Sequence, residues 1–178
     1  MSSLLVLGLG NVLCADDGVG ISAVLQLLQR YQPARGVRVL DGGTMGLSLL
    51  PELERAEQAI FVDAIRDGDS LPGSLVRIEQ EDVMHAAATR LSVHQIGVTD
   101  LLEGASLRSR CPRKLILCGV VPQSIELRFG LSPSVAAAVP KLIELVLQEA
   151  AALGKPFRER RHAIAGGLHG DLHRLLGL

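Results

Sequence analysis

Residues 4–20 constrain this chain more than any other stretch. A continuous apolar run, Leu4 to Leu9, passes through Gly8-Leu9-Gly10-Asn11 to Asp16-Asp17-Gly18-Val19-Gly20, where a helical pattern begins. An unbroken apolar run of this length, bounded by glycine, predicts a strand covered on both faces. Ile21, Val24, Leu25 and Leu28 then follow the i, i+3, i+4, i+7 stripe of a helix expected over about 17–31. A strand, a glycine-spaced turn and a helix open an α/β unit, and such turns carry the chemistry of α/β folds. Here the turn ends in two carboxylates, which repel a phosphate and attract a cation.

The same alternation continues along the chain. Val37 to Leu40 reads as a second strand, ending in Asp41-Gly42-Gly43-Thr44; Ala59 to Val62, Ser74 to Ile78 and Leu115 to Val121 read as further strands, the Ser74 one at an edge. Helices are expected over 47–54, over 94–102 with Ser92 as cap, and from Pro133 to about Leu153. Pro140 predicts a kink in the last helix and Gly154 its stop. The predicted fold is α/β: a single-domain, three-layer, doubly wound and mostly parallel twisted sheet with helices on both faces.

Length and charge narrow the class. A chain of 178 residues favours one domain. With 48% hydrophobic but 2% aromatic residues, its core must be aliphatic. A net charge of -1 weighs against nucleic acid or an anionic membrane as partner. No apolar run approaches the roughly 20 residues of a membrane span. No basic segment precedes the first strand, so no signal peptide is expected. Cys14, Cys111 and Cys118 form no CxxC pair, which points to a reducing cytoplasm. The expected division is a domain over 1–154 and a loosely docked or mobile tail over 155–178, where Lys155, Arg158, Arg160 and Arg161 gather. His169 and His173, four apart in that tail, read as part of a solvated terminus, because Gly166-Gly167 and Gly170 oppose a rigid helix.

Three side chains converge on one edge. Asp17 follows the first strand, Asp63 ends the third and His94 opens a helix. Taken singly, an Asp here reads as a helix cap or a backbone-bonding residue, and the histidine as structural. A doubly wound sheet gathers the carboxyl ends of its strands on one edge, so the three can meet as a mixed oxygen/nitrogen site for a divalent metal with open positions. A helix N-terminus keeps His94 neutral and able to donate a lone pair. Gly42, Gly43 and Thr44 form either a plain turn or a substrate-gripping loop. A dinucleotide reading of Gly8-x-Gly10 lacks the third glycine, because Leu13 stands there.

With these motifs in their order, the chain resembles the hydrogenase maturation proteases, which process the large subunit of nickel–iron hydrogenases. The matching residues are Gly8-Leu9-Gly10-Asn11, Asp16-Asp17-Gly18-Val19-Gly20, Asp41-Gly42-Gly43-Thr44, Val62-Asp63-Ala64, His94-Gln95-Ile96-Gly97 and Gly119-Val120-Val121-Pro122 with Glu126. The resemblance implies an endopeptidase that removes a C-terminal extension from the nickel-loaded large-subunit precursor. It implies that Asp17, Asp63 and His94 contact the nickel, which the substrate supplies, although other divalent metals can occupy such a site. Asp17 is also implied in catalysis and Asp41 is a candidate general base. A monomer is expected. Two other readings stand beside this one: a non-proteolytic nickel-binding chaperone or scaffold with the same ligands, and a nucleotide-binding module.

Overall fold

The computed structural model describes residues 3–68, 70–79, 82–83 and 96–162. Strand β1 (Leu4–Leu9) is buried along its whole length, as an apolar run without alternation demands. The chain then makes a 3-10 turn at Ala15–Gly18 and enters α1 (Val19–Arg30), so Asp16 and Asp17 lie in the turn and not in the α-helix. A two-residue β2 (Tyr31–Gln32) leads to β3 (Val37–Gly43), which runs on through Asp41-Gly42-Gly43. A 3-10 turn at Gly46–Leu49 and the short α2 (Leu50–Glu54) return the chain to β4 (Gln58–Ala64). β5 (Leu75–Glu79), α3 (Ile96–Leu107), β6 (Lys114–Val120), α4 (Pro133–Ala152) and β7 (Arg158–Glu159) complete the described elements.

Five strands form one sheet in the order β3-β1-β4-β6-β5. β1, β3, β4 and β6 are parallel, and β5 is an antiparallel edge on β6. The connection leaving β1 goes to β3 on one side, and the next strand, β4, returns to the other side of β1. The order therefore reverses between β1 and β4, which marks the crevice where open α/β sheets bind ligands.

Two cores lie on the two faces of the sheet. Leu4 and Val6 of β1 join Ile60 and Val62 of β4 beneath α1 and α4. Leu5, Leu7 and Leu9 join Ala59 and Phe61 beneath α2 and α3. This period-two division of each strand gives the expected three layers. By the same alternation Asp63 follows Ala59 and Phe61 onto the α3 face, whereas Val62 faces α1. Among the described residues no helix is long and apolar enough to cross a membrane.

α4 runs through Pro140 and ends in a Schellman motif: Lys155 N–H donates to Ala150 O (2.8 Å) and Gly154 N–H to Ala151 O (2.9 Å), with Gly154 at φ 74°. Gly154 is thus the stop that the sequence indicates. The chain beyond it rejoins the body. Arg158 and Glu159 pair antiparallel with Gln32 and Tyr31, Phe157 packs on the α1/α4 core, and Arg160 Nε donates to Leu28 O and Tyr31 O, each at 3.1 Å. His169 and His173 lie outside the described residues.

Candidate functional site

The site is built around Gly10, just past the end of β1. Gly10 has φ 121°, a region closed to side-chain-bearing residues, and a Cβ placed on it would stand 1.7 Å from Asp17 O. The same Cβ position lies 3.7 Å from Asp63 Oδ1. Asn11 N–H, on the next peptide, donates to Asp17 Oδ2 at 2.8 Å. Asp17 and Asp63 therefore flank the Gly10–Asn11 peptide from two sides, and both are 0% exposed. Asp63 Oδ1 also accepts the Ala64 N–H at 2.7 Å, which fixes its rotamer at the end of β4.

A second glycine makes this approach possible. A Cβ on Gly20 would stand 2.0 Å from Val62 O and 2.5 Å from Leu9 O. The first turn of α1 thus rests directly on the ends of β1 and β4. The turn that carries Asp17 is pulled down onto the strand that carries Asp63.

The glycine-rich loop joins the same centre. Gly10 N–H donates to Gly43 O at 3.1 Å. Asp41 pairs in register with Gly8, and its Oδ1 accepts the Gly43 N–H at 3.0 Å, closing an Asx-type turn over Gly42 and Gly43. Asp41 and Thr44 are exposed and Gly42 is buried. Of the residues singled out in the sequence, Asp17, Asp63 and Gly43 meet at Gly10, and Asp41 sits at the edge of the group.

His94 lies outside the described residues; α3 begins two residues later, at Ile96. Among the described residues no group of three or more His, Cys, Asp or Glu side chains forms a metal site. The two carboxylates at Gly10 fit a divalent cation by the chemistry of their donors, and an imidazole would complete a mixed oxygen/nitrogen set.

Asp16 has a function that the sequence does not announce. Its Oδ2 accepts from Gln123 N–H (2.8 Å), Ser124 N–H (3.0 Å) and the Ser132 hydroxyl (2.9 Å), and its Oδ1 accepts from Ser132 N–H (2.6 Å). This 0% exposed carboxylate is a clasp for the segment after β6. Nothing local marks it, because its partners lie more than 100 residues away. That segment also bridges to the Asp16 turn: Arg128 N–H donates to Leu13 O (2.9 Å) and Ala15 N–H to Arg128 O (2.7 Å). Cys14, which is buried, is the residue that pairs with Arg128 in this bridge. Cys118 is buried in β6, and burial pushes its thiol up to about 12, with the Glu149 charge adding to the effect and Arg77 opposing it.

Fold and geometry together define an α/β protein that gathers two buried carboxylates at the carboxyl edge of its sheet. Residues 21–149 match the family HycI, described as hydrogenase maturation protease. The chain is 38% identical over 144 residues to the Hydrogenase 2 maturation protease of Escherichia coli (strain K12), covering 81% of this chain and 88% of that one. It is 40% identical over 153 residues to the hydrogenase expression/formation protein HupD of Rhodobacter capsulatus, covering 85% and 72% of the two chains. The solved structure of the hydrogenase maturating endopeptidase HYBD from E. coli superposes with a TM-score of 0.84 at 35% identity, over 89% of this chain and 98% of that one. The chain belongs to the hydrogenase maturation protease family, and it is a peptidase.

Proposed function

We propose that this peptidase removes a C-terminal extension from the large-subunit precursor of a nickel–iron hydrogenase, reading nickel that the precursor carries. The observation that carries this reading is the meeting of Asp17 and Asp63, both fully buried, at the Gly10 peptide on the carboxyl edge of the sheet. Two anionic oxygens held at one place attract a divalent cation, and His94 supplies the third contact. Because both carboxylates are closed to solvent, the reading requires that binding of the precursor parts the loops above them.

The nickel is part of the substrate, and it polarises the scissile carbonyl when the two chains are docked. Asp17 and Asp63 hold that centre at a fixed place on the sheet. Such positioning converts an encounter into an intramolecular step, and this contributes much of the barrier reduction. The Gly42-Gly43-Thr44 loop offers backbone groups beside the same centre and grips the extended substrate. Asp41, exposed and in register with Gly8, is the general base that takes a proton from the attacking water.

The test is incubation of the protein with nickel-loaded and nickel-free precursor, followed by intact mass spectrometry. Loss of one C-terminal peptide from the nickel-loaded form alone is the expected result. Cleavage of both forms removes nickel recognition and leaves the peptidase. A cognate precursor that stays whole in both forms overturns the reading of substrate.

A further inference from the structure

A cavity of about 310 Å³ opens where β4 and β6 end, between the 121–125 segment on one side and Arg66, Asp67 and Gly68 on the other. Asp63 pairs with Gly119, and the wall begins at Val121, two residues further along. At the rise of a strand this is about 7 Å beyond the level of Asp63, on the neighbouring strand. Val121, Pro122 and Ile125 give the cavity apolar walls, suited to an apolar side chain of an extended peptide. The cavity thus opens past the end of the strand that neighbours Asp63.

Besides the bond from the Ser134 hydroxyl to Gln123 Oε1 (2.8 Å), the wall is held through its backbone. Gln123 and Ser124 present their backbone N–H groups to Asp16 Oδ2 at 2.8 and 3.0 Å. Ser132, the cap of α4, gives both its N–H and its hydroxyl to the same carboxylate. Four donors fill the acceptor capacity of one carboxylate. Asp16 thereby joins three separately encoded parts: the turn carrying Asp17, the cavity wall and the start of α4. A helix cap needs one such bond; this carboxylate sets the distance between the wall and its neighbour Asp17.

We propose that Asp16 is a positioning residue for the peptidase reaction, holding the 122–125 wall so that the cavity receives an apolar side chain of the precursor beside the scissile bond. This rests on the substrate reading given above. The residue touches neither substrate nor metal; it acts through the wall.

The test compares wild type with Asp16→Asn, whose amide keeps the size but offers an acceptor at one atom and not at both. Binding of the nickel-loaded precursor, its cleavage kinetics and hydrogen exchange of the 123, 124 and 132 amides are measured together. The expected result is a KM and a precursor Kd raised about tenfold, kcat within about threefold, and faster exchange at those three amides. If Asp16→Asn does not fold, Ser132→Ala removes a single bond to Asp16, and a KM rise of about threefold at unchanged kcat is expected. Unchanged binding and KM with faster exchange overturns the proposal, as does unchanged exchange. A fall in kcat at constant KM also overturns it, because the residue would then act on the chemistry. A wild type that neither binds nor cleaves the precursor overturns the proposed function and this inference with it. A wild type that cleaves while the variant binds equally tightly overturns this inference alone.

Discussion

Gly20 lies directly on Val62: a Cβ on the glycine would stand 2.0 Å from the Val62 carbonyl oxygen. The contact is backbone on backbone, so no side chain can turn aside to relieve it. Gly20→Ala is expected to lift the first turn of α1 from the sheet, with a loss of about 3 kcal/mol, the upper end of the overpacking range. Urea denaturation reads the loss. A stability within 0.5 kcal/mol of wild type, taken as roughly the scatter of neutral surface changes, would show that the turn accommodates the methyl group.

Asp17→Asn keeps an oxygen for the Asn11 N–H and removes the charge. Cleavage of the precursor is expected to fall by about 10²-fold or more, with the melting temperature held within a few degrees. Asp63→Asn should behave alike, because its Oδ1 bond to Ala64 N–H also survives the change. Full activity in either variant would remove that carboxylate from the site.

Asp41→Asn separates loop shape from proton transfer. An amide oxygen still accepts the Gly43 N–H, so the turn over Gly42 and Gly43 persists. A drop in kcat of about 10²-fold is the expected cost of losing a general base. Unchanged kcat would leave Asp41 the single task of shaping the loop.

Cys118 gives the fold an alkaline limit. Its thiol is raised from 9.0 to about 12 by burial, so the folded state keeps a proton that the unfolded chain releases. Below pH 9 both states are protonated and the contribution to stability is fully present. Between pH 9 and about 12 the unfolded chain binds fewer protons, and stability falls as pH rises. Thermal melts across that window should steepen in the wild type and flatten in Cys118→Ala.

Arg160→Ala tests the return of the chain to α1. It removes two donations to Leu28 O and Tyr31 O, and a loss of about 1–2 kcal/mol is expected for these partly buried charged bonds. Cleavage at a temperature well below the melt should be unchanged. An unaltered melting temperature would mean that the β2–β7 pair is held without the Arg160 side chain, by its backbone bonds and Phe157.

The strands were legible because parallel strands buried on both faces need continuous apolar runs, and Leu4–Leu9 and Leu115–Val120 have them. The meeting of Asp17 and Asp63 was legible through topology: residues after β1 and at the end of β4 share one edge. Their flanking of Gly10 was not, since it depends on a glycine contact between Gly20 and Val62 that local patterns do not encode. Asp16 and Asp17 look equivalent in the chain. What separates them is a segment more than 100 residues downstream, which claims one carboxylate while the other turns to the Asn11 N–H. The β2–β7 pair was illegible for a related reason, because two-residue strands carry no periodicity and exist through long-range backbone bonds. β5 reads as an edge strand, and its antiparallel sense follows from a connection after β4 too short for a crossover helix.

The pairing of Tyr31–Gln32 with Arg158–Glu159 fixes where anything joined to the far side of the molecule begins. α1 starts at the edge that carries Asp17 and Asp63 and descends for 12 residues to Tyr31, a length of about 18 Å. A fluorophore, surface tether or fusion partner attached just after Arg160 therefore starts a full helix length below the carboxylates. The enzyme can be immobilised from that end with its working edge turned outward to a substrate as large as a folded precursor.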